Sequence, residues 1–242
     1  MRLAVISDVH GNRGALEAVV GDIAAQGVDA ILNLGDHFSG ALDPKGTGEI
    51  LLELGALSIR GNHDRELVER DRADMGQTDA HAFDQLSPQH FEWLRTMPAT
   101  AVFEREVLLA HGIPTSDSIY WLEAEPKDGR MLAAGMEHIE ANADGLAYPV
   151  LLCGHSHIAR EVMLADGRLV INPGSVGFPS FRKGTHDPLA GTNARYALLD
   201  KRNGRWTATF RSVPYDHMAA ASLARANGNA EWAMRLAEGW AR

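Results

Sequence analysis

Short apolar runs that break off at a glycine and a polar side chain recur along the chain. The clearest lies at 150–153, where Val150-Leu151-Leu152-Cys153 stops at Gly154-His155-Ser156-His157. Similar runs lie at 3–7, ahead of Asp8-Val9-His10-Gly11-Asn12, at 30–34, ahead of Gly35-Asp36, and at 57–60, ahead of Gly61-Asn62-His63-Asp64. Runs this short, bounded by turn residues, predict buried strands. Between them the period changes. Leu16, Val19, Val20 and Ile23 recur at helical spacing, which predicts a helix over 13–26 closed by Gly27. A second helix is predicted over 48–54. Strands alternating with helices predict βαβ units and a largely parallel sheet.

Residues 65–98 read as helical, with Phe83, Leu86, Phe91, Trp93 and Leu94 toward the core and Pro88 as a helix start. Residues 101–110 predict a hairpin whose second strand ends at His111. The stretch 113–148 is weakly patterned, with a helix expected around 131–142 and a lid as its expected use. After 150–153 come a hairpin, 161–164 and 169–172, around Ala165-Asp166-Gly167, and then a long loop over 178–193. Two strands, 196–200 and 206–213, flank Asn203-Gly204. The Ala-rich tail from His217 reads as helical, with Trp232, Leu236 and Trp240 packed on the core. No repeat or linker interrupts the chain, so a single domain is expected over 1–242.

Composition narrows the function classes. Apolar residues make up 45% and charged residues 23%, the balance of a water-soluble globular protein. A formal net charge of −9 argues against an extended nucleic-acid surface, which selects clustered Lys and Arg. A phosphorylated substrate stays open, because bound cations reverse the local sign. The lone Cys153 excludes an internal disulfide and fits a reducing compartment. With no leader visible and no apolar run of roughly 20 residues, a cytoplasmic protein that does not enter a membrane is expected.

The chemistry lies where the strands end. Asp8, His10, Asp36, Asn62, His111, His155 and His157 each close a predicted strand. Two carboxylates, four imidazoles and an amide are too many ligands for one tetrahedral zinc. They suit two divalent ions that share one carboxylate. Such a pair, about 3.5–4 Å apart, supports in-line attack on phosphorus. The mixed oxygen and nitrogen donors tolerate manganese, iron, zinc, nickel or cobalt, with manganese expected first.

In this order the motifs Asp8-Val9-His10, Gly35-Asp36, Gly61-Asn62-His63-Asp64, His111 and Gly154-His155-Ser156-His157 resemble the calcineurin-like metallophosphoesterase family. Gly174-Ser175-Val176-Gly177 and Pro214-Tyr215-Asp216 are similar to its small bacterial and archaeal phosphodiesterase branch. The resemblance implies a four-layer αββα sandwich with two facing mixed sheets. It implies one metal held by Asp8, His10, Asp36 and His157, and a second by Asp36, Asn62, His111 and His155. It further implies that His63 faces substrate as the catalytic acid and that Asp64 orients it, although Asp64 also suits a cap on the helix that follows. The expected activity is direct attack of a metal-activated hydroxide on a phosphodiester. The alternatives are a phosphomonoesterase or phosphoprotein phosphatase, a nucleotide pyrophosphate hydrolase, and a non-catalytic scaffold of the same fold. The expected partner is a small phosphoester or nucleotide.

Three further residues are candidates for substrate contact. Asn12 either meets a phosphate or caps the first helix, His37 either lines the pocket or faces solvent, and Arg182 either clamps phosphate or is solvated with Lys183. Arg182 stands displaced from the place, directly after Gly177, where the family's arginine follows. Tyr120, Trp121, Phe178 and Phe181 lie in the two long loops, where they either stack on an aromatic substrate group or anchor the loops. Cys153 reads as a small buried apolar residue. His81, His90, His138, His186 and His217 lack ligand spacing and read as structural or surface residues.

Overall fold

A computed structural model describes residues 1–127, 130–179 and 191–239. Strand β1 (Arg2–Ile6) leads to helix α1 (Arg13–Ala24), then β2 (Ala30–Asn33), α2 (Pro44–Glu53), β3 (Leu57–Ser58) and α3 (Asn62–Glu69). Helices α4 (Gln77–Gln85) and α5 (Pro88–Thr96) follow, then the hairpin β4 (Ala101–Phe103) and β5 (Val107–Leu109). Next come β6 (Glu123–Lys127), β7 (Arg130–Ala133), α6 (Met136–Ala143), β8 (Val150–Leu152), β9 (Arg160–Met163) and β10 (Leu169–Asn172). The chain closes with β11 (Ala194–Arg202), β12 (Arg205–Val213), α7 (His217–Ala226) and α8 (Ala230–Glu238).

Two mixed sheets form, in the orders β12-β11-β1-β2-β3 and β4-β5-β8-β10-β9. The parallel pairing expected from the βαβ pattern holds at their centres, β1-β2-β3 and β5-β8-β10. Antiparallel strands complete both sheets, β11 and β12 on one, β4 and β9 on the other. Side chains alternate across a strand, so an unbroken apolar strand has two faces to bury. In β1, Leu3 and Val5 enter a core between the sheets with Val107, Leu109, Val150, Leu152, Leu169 and Ile171. Ala4 and Ile6 face the other way, onto Leu16, Val19 and Ile23 of α1. Leu108, Leu151 and Val170 turn outward beneath Trp121 and α6 residues Ile139 and Ala143. Helices, sheet, sheet and helix therefore stack as the four-layer αββα sandwich.

Local boundaries depart from the sequence pattern where a short signal was ambiguous. The region 65–98 is three helices and a single 3₁₀ turn, cut at Gly76 and before Pro88, not one helical stretch. Leu86 and Leu94 are buried, while Phe83, Phe91 and Trp93 pack partly buried against the same core. The helix expected around 131–142 begins only at Met136, because Met131 belongs to β7. A short apolar run cannot be assigned to strand or helix by period alone. The tail breaks at Gly228, whose φ is +80°, and Asn229 caps α8. Trp232 and Leu236 pack with Ala41, Leu42 and Phe178. Trp240 lies outside the described residues. Among the described residues no helix is long and apolar enough to cross a membrane.

Asp22 ties the helical layer to the first sheet. It accepts hydrogen bonds from the Tyr196 hydroxyl (2.6 Å) and from Arg211 Nη2 (2.9 Å), and the Arg211 and Tyr196 bonds hold its carboxyl below the usual range. Replacement Asp22→Asn is expected to cost about 1–2 kcal/mol at neutral pH, the size of a charge-assisted pair that is partly exposed. A depressed folded-state pKa stabilises only above the ordinary carboxylate value of about 4. The gap between wild type and variant in urea denaturation should therefore close as pH falls below that value.

Candidate metal centre

Strand ends deliver the site. The turn after β1 carries Asp8 and His10, the turn after β2 carries Asp36, and Asn62 and His63 open α3 just beyond β3. In the second sheet His111 follows β5, and His155 and His157 follow β8. Five of these residues adopt the left-handed backbone that only glycine enters freely: Asp8 (φ 55°), His10 (50°), Asp36 (55°), His155 (66°) and His157 (62°). Strain of this kind persists only where the surroundings enforce it, and it gathers at functional sites. Crowding explains one glycine of the motifs. A Cβ on Gly61 would stand 2.2 Å from Asp36 Oδ1, so no larger residue lets these two turns meet.

The side chains fall into two adjoining groups, Asp8 with His10 and His157, and Asp36 with His111 and His155. Asp36 Oδ2 is 3.2 Å from His111 Nε2 and 4.0 Å from His10 Nε2, so one carboxylate oxygen reaches both groups. Asp8 Oδ1 lies 3.3 Å from His157 Nε2, and Asn62 Oδ1 lies 3.2 Å from His111 Nε2.

Hydrogen bonding fixes what these imidazoles offer. His10 Nδ1 meets the Ser39 carbonyl at 2.6 Å, His111 Nδ1 that of Leu34 at 2.8 Å, and His157 Nδ1 that of Phe178 at 3.1 Å. A carbonyl only accepts, so each Nδ1 keeps its hydrogen and turns Nε2 inward, where it is a metal ligand once the ring is neutral. His10 Nε2 and His157 Nε2 consequently face each other at 3.0 Å. Two lone pairs hold that separation only with a proton or a metal between them. Asp8 Oδ1 is buried and meets no donor in hydrogen-bonding geometry. The residues present thus fit divalent transition-metal ions.

The charge balance agrees. Burial works against ionising Asp8, yet His157 and His111 hold its carboxyl down at about 2. Burial likewise opposes a charged His111, but Asp36 and Asp8 carry it up to about 10. His10 and His155 are pushed down to about 4, by burial and then by His157 and His111 respectively. Without a metal His111 therefore holds a proton, which metal binding there would release.

His63 stands at the edge, with its ring centroid 5.7 Å from that of His10 and its side chain 27% exposed. Asp64 does not touch it as expected. Its carboxylate accepts from the backbone N–H of Gly61 (2.9 Å), Asp36 (2.8 Å) and His37 (3.0 Å), and meets His37 Nδ1 at 2.7 Å. At the third position of α3 it points back under the neighbouring turn, so it pins two strand-end turns together and leaves His63 to another acid. That acid is Asp79 of α4, whose Oδ1 lies 2.8 Å from His63 Nδ1. The sequence pattern missed Asp79 because its only mark is an acid on a buried helical face.

Of the candidate substrate contacts, His37 is corrected and Asn12 takes the second of its two expected roles. His37 is fully buried between Asp64 and Trp93, neither solvent-facing nor in a pocket. Asn12 caps α1 through Ala15 N and spends its amide hydrogens on the Gly177 carbonyl (2.7 Å) and Tyr215 Oη (3.1 Å). Arg182, Lys183, Phe181 and His186 lie outside the described residues, as does most of the loop 178–193. Of the loop aromatics, Tyr120 stacks on His155 at 4.6 Å, whereas Phe178 stacks on Trp232 at 3.9 Å and Trp121 is buried. Cys153 is buried as expected.

Facing sheets that gather acids and imidazoles at their strand tips define an α/β protein built to hold divalent metal. Residues 1–195 match the calcineurin-like phosphoesterase superfamily domain, and the chain belongs to that family. It is 28% identical over 216 residues to an uncharacterised protein of Methanocaldococcus jannaschii, with 83% of each chain covered. It is similar to a metallophosphoesterase from Sphaerobacter thermophilus, at 25% identity and a TM-score of 0.77, covering 99% of this chain and 100% of that one. A hypothetical protein from Pyrococcus horikoshii OT3 shares the fold, at 20% identity and a TM-score of 0.78, covering 100% of this chain and 99% of that one.

Because Asp36 reaches both groups, Asp36→Asn should lower occupancy at both, whereas His157→Ala should empty the first group and spare the second. Metal analysis of protein dialysed against manganese tests this. Unchanged stoichiometry in Asp36→Asn would count against a shared carboxylate. Wild type should gain about 2.7 kcal/mol from manganese at 100 times its Kd, and lose it to a chelator.

Proposed function

We propose that this chain hydrolyses phosphodiesters at two divalent ions, one held by Asp8, His10, Asp36 and His157, the other by Asp36, Asn62, His111 and His155. The observation that carries this reading is that the two carboxylates lie between the donor groups. Asp36 Oδ2 is 3.2 Å from His111 and 4.0 Å from His10, and Asp8 Oδ1 is 3.3 Å from His157 and 3.9 Å from His111; Asp36 is taken as the shared one. When bound, the ions would polarise the phosphoryl oxygen and make a water more acidic, with manganese the expected occupant. Two dications against the carboxylates of Asp8 and Asp36 leave a net positive site for an anionic substrate.

The side chains supply the remainder. His63 gives its Nδ1 hydrogen to Asp79, which fixes the ring and leaves Nε2 as the atom that protonates the departing alkoxide. Backbone N–H of His63 donates to Asp36 Oδ1 (3.0 Å), coupling the acid's position to the shared carboxylate. Arg65, two residues on, is spent on Asp117 at 2.6 and 3.1 Å. That leaves it unavailable to a second phosphate charge and favours diesters over monoesters. A scaffold would have no use for a buried Asp79 holding a partly buried His63.

His63→Ala is expected to keep both metals and lose on the order of 10²–10⁴-fold in kcat on an aryl phosphodiester. Asp79→Asn should lose less, about 10–100-fold, since the imidazole remains but is held less well. Loss of metal in either variant would contradict the division into ligands and acid. Assay of a paired aryl diester and monoester on manganese-loaded protein decides the substrate class: monoester preference would replace this reading with a phosphatase.

A further inference from the structure

One described cavity shares a wall with the metal centre through a side-chain contact. It encloses about 220 Å³ between Ile119, Tyr120, Ala124, Ala134, Gly135 and His138, with Glu123 completing the lining. The shared wall is Tyr120, whose ring stacks on the imidazole of His155 (centroids 4.6 Å apart, planes 24° apart). The backbone that carries this ring is anchored. His138 Nε2 meets the Tyr120 carbonyl at 3.0 Å, and the next residue, Trp121, is buried with its Nε1–H on the Ile139 carbonyl. Preorganisation of this kind lowers the ordering cost of binding.

The size and chemistry restrict what enters. Whole small-molecule sites run to about 300–1,000 Å³, so this cavity takes part of a ligand, about one ring. Its wall is largely aromatic and apolar, Ile119 is 46% exposed at the surface, and among the described residues no lysine or arginine lines it. The acid present, Glu123, is buried and paired with Arg160 at 4.0 Å. The apolar and aromatic lining favours an uncharged planar group.

The position decides which part of the substrate that is. His63 stands beside His10, in the first donor group, and Tyr120 stands on His155, in the second. The departing oxygen must meet His63, so the arm that stays on phosphorus is directed to the Tyr120 end. We propose that this cavity is the subsite for an uncharged ring, aryl or nucleobase, on the retained ester arm. The natural substrates are then phosphoesters whose retained arm carries such a ring. This rests on the diester reading above.

The test compares phenyl p-nitrophenyl phosphate with methyl p-nitrophenyl phosphate on manganese-loaded protein, so that the leaving group is constant. Wild type should favour the phenyl ester roughly tenfold in kcat/KM, the upper range of one ring contact. Ile119→Asp puts a charge at the exposed rim. Gly135→Leu extends a side chain where an added Cβ meets no atom within 4 Å, on a backbone (φ −71°) that any residue adopts. Both should bring the ratio toward one. Equal rates for the two esters in wild type, or a preference undiminished in both variants, would overturn the subsite. Calorimetric binding of the uncleavable phosphinates methyl(phenyl)phosphinate and dimethylphosphinate, in which both arms are joined by P–C bonds, separates the two proposals. Tighter phenyl binding without turnover would sink only the diesterase reading, and equal binding would sink the subsite whatever the turnover.

Discussion

Burying two carboxylates beside four imidazoles is the constraint on which the rest of this structure depends. Asp8 and Asp36 are almost fully removed from water, and an uncompensated buried charge costs several kcal/mol. The imidazoles that surround them turn Nε2 inward, because backbone carbonyls hold the Nδ1 hydrogens of His10, His111 and His157. A cluster of acceptors facing inward is stable only around cations. The strained backbone at five of these positions is maintained by the packing of two sheets against each other.

That packing explains why the chain needs two sheets. Asp8, His10 and Asp36 come from the first sheet, and His111, His155 and His157 from the second. The apolar core between them, built from alternate residues of strands buried on both faces, fixes the distance between the two halves of the donor set. A single sheet would offer only half of the ligands. Truncating a core residue such as Val5 or Leu152 would loosen the strand ends as well as create a cavity.

Around the donors, two acids divide the supporting work. Asp64 binds three backbone N–H groups and so locks the turn bearing Asp36 to the one bearing Asn62 and His63. Asp79 reaches across from α4 to hold His63. The aromatic residues are divided likewise. Phe178 and Trp232 stack behind His10 and close one end of the site, while Tyr120 lies on His155 at the other. The terminal helices and the segment between β5 and β8 thus border the site from opposite ends.

The strand-end motifs were legible in the sequence because they are local. An apolar run ending in Gly-Asp or Gly-His-Ser-His is written in consecutive residues, and strand burial on both faces shows as unbroken hydrophobicity. So the donor residues, the alternation of strand and helix and the family resemblance could all be read from it. The pairings could not. Asp64 was assigned to His63 because it is adjacent in sequence, but position three of a helix aims a carboxylate back at the cap, where Gly61, Asp36 and His37 wait. Asp79, sixteen residues beyond His63, becomes its partner only when α4 folds against α3. His37 and Asn12 looked available because a sequence carries no burial. The chain by itself determined which acids and imidazoles stand at the strand ends; tertiary packing decided which carboxylate holds which imidazole, because hydrogen-bond partners are set by distances in space that sequence separation does not encode.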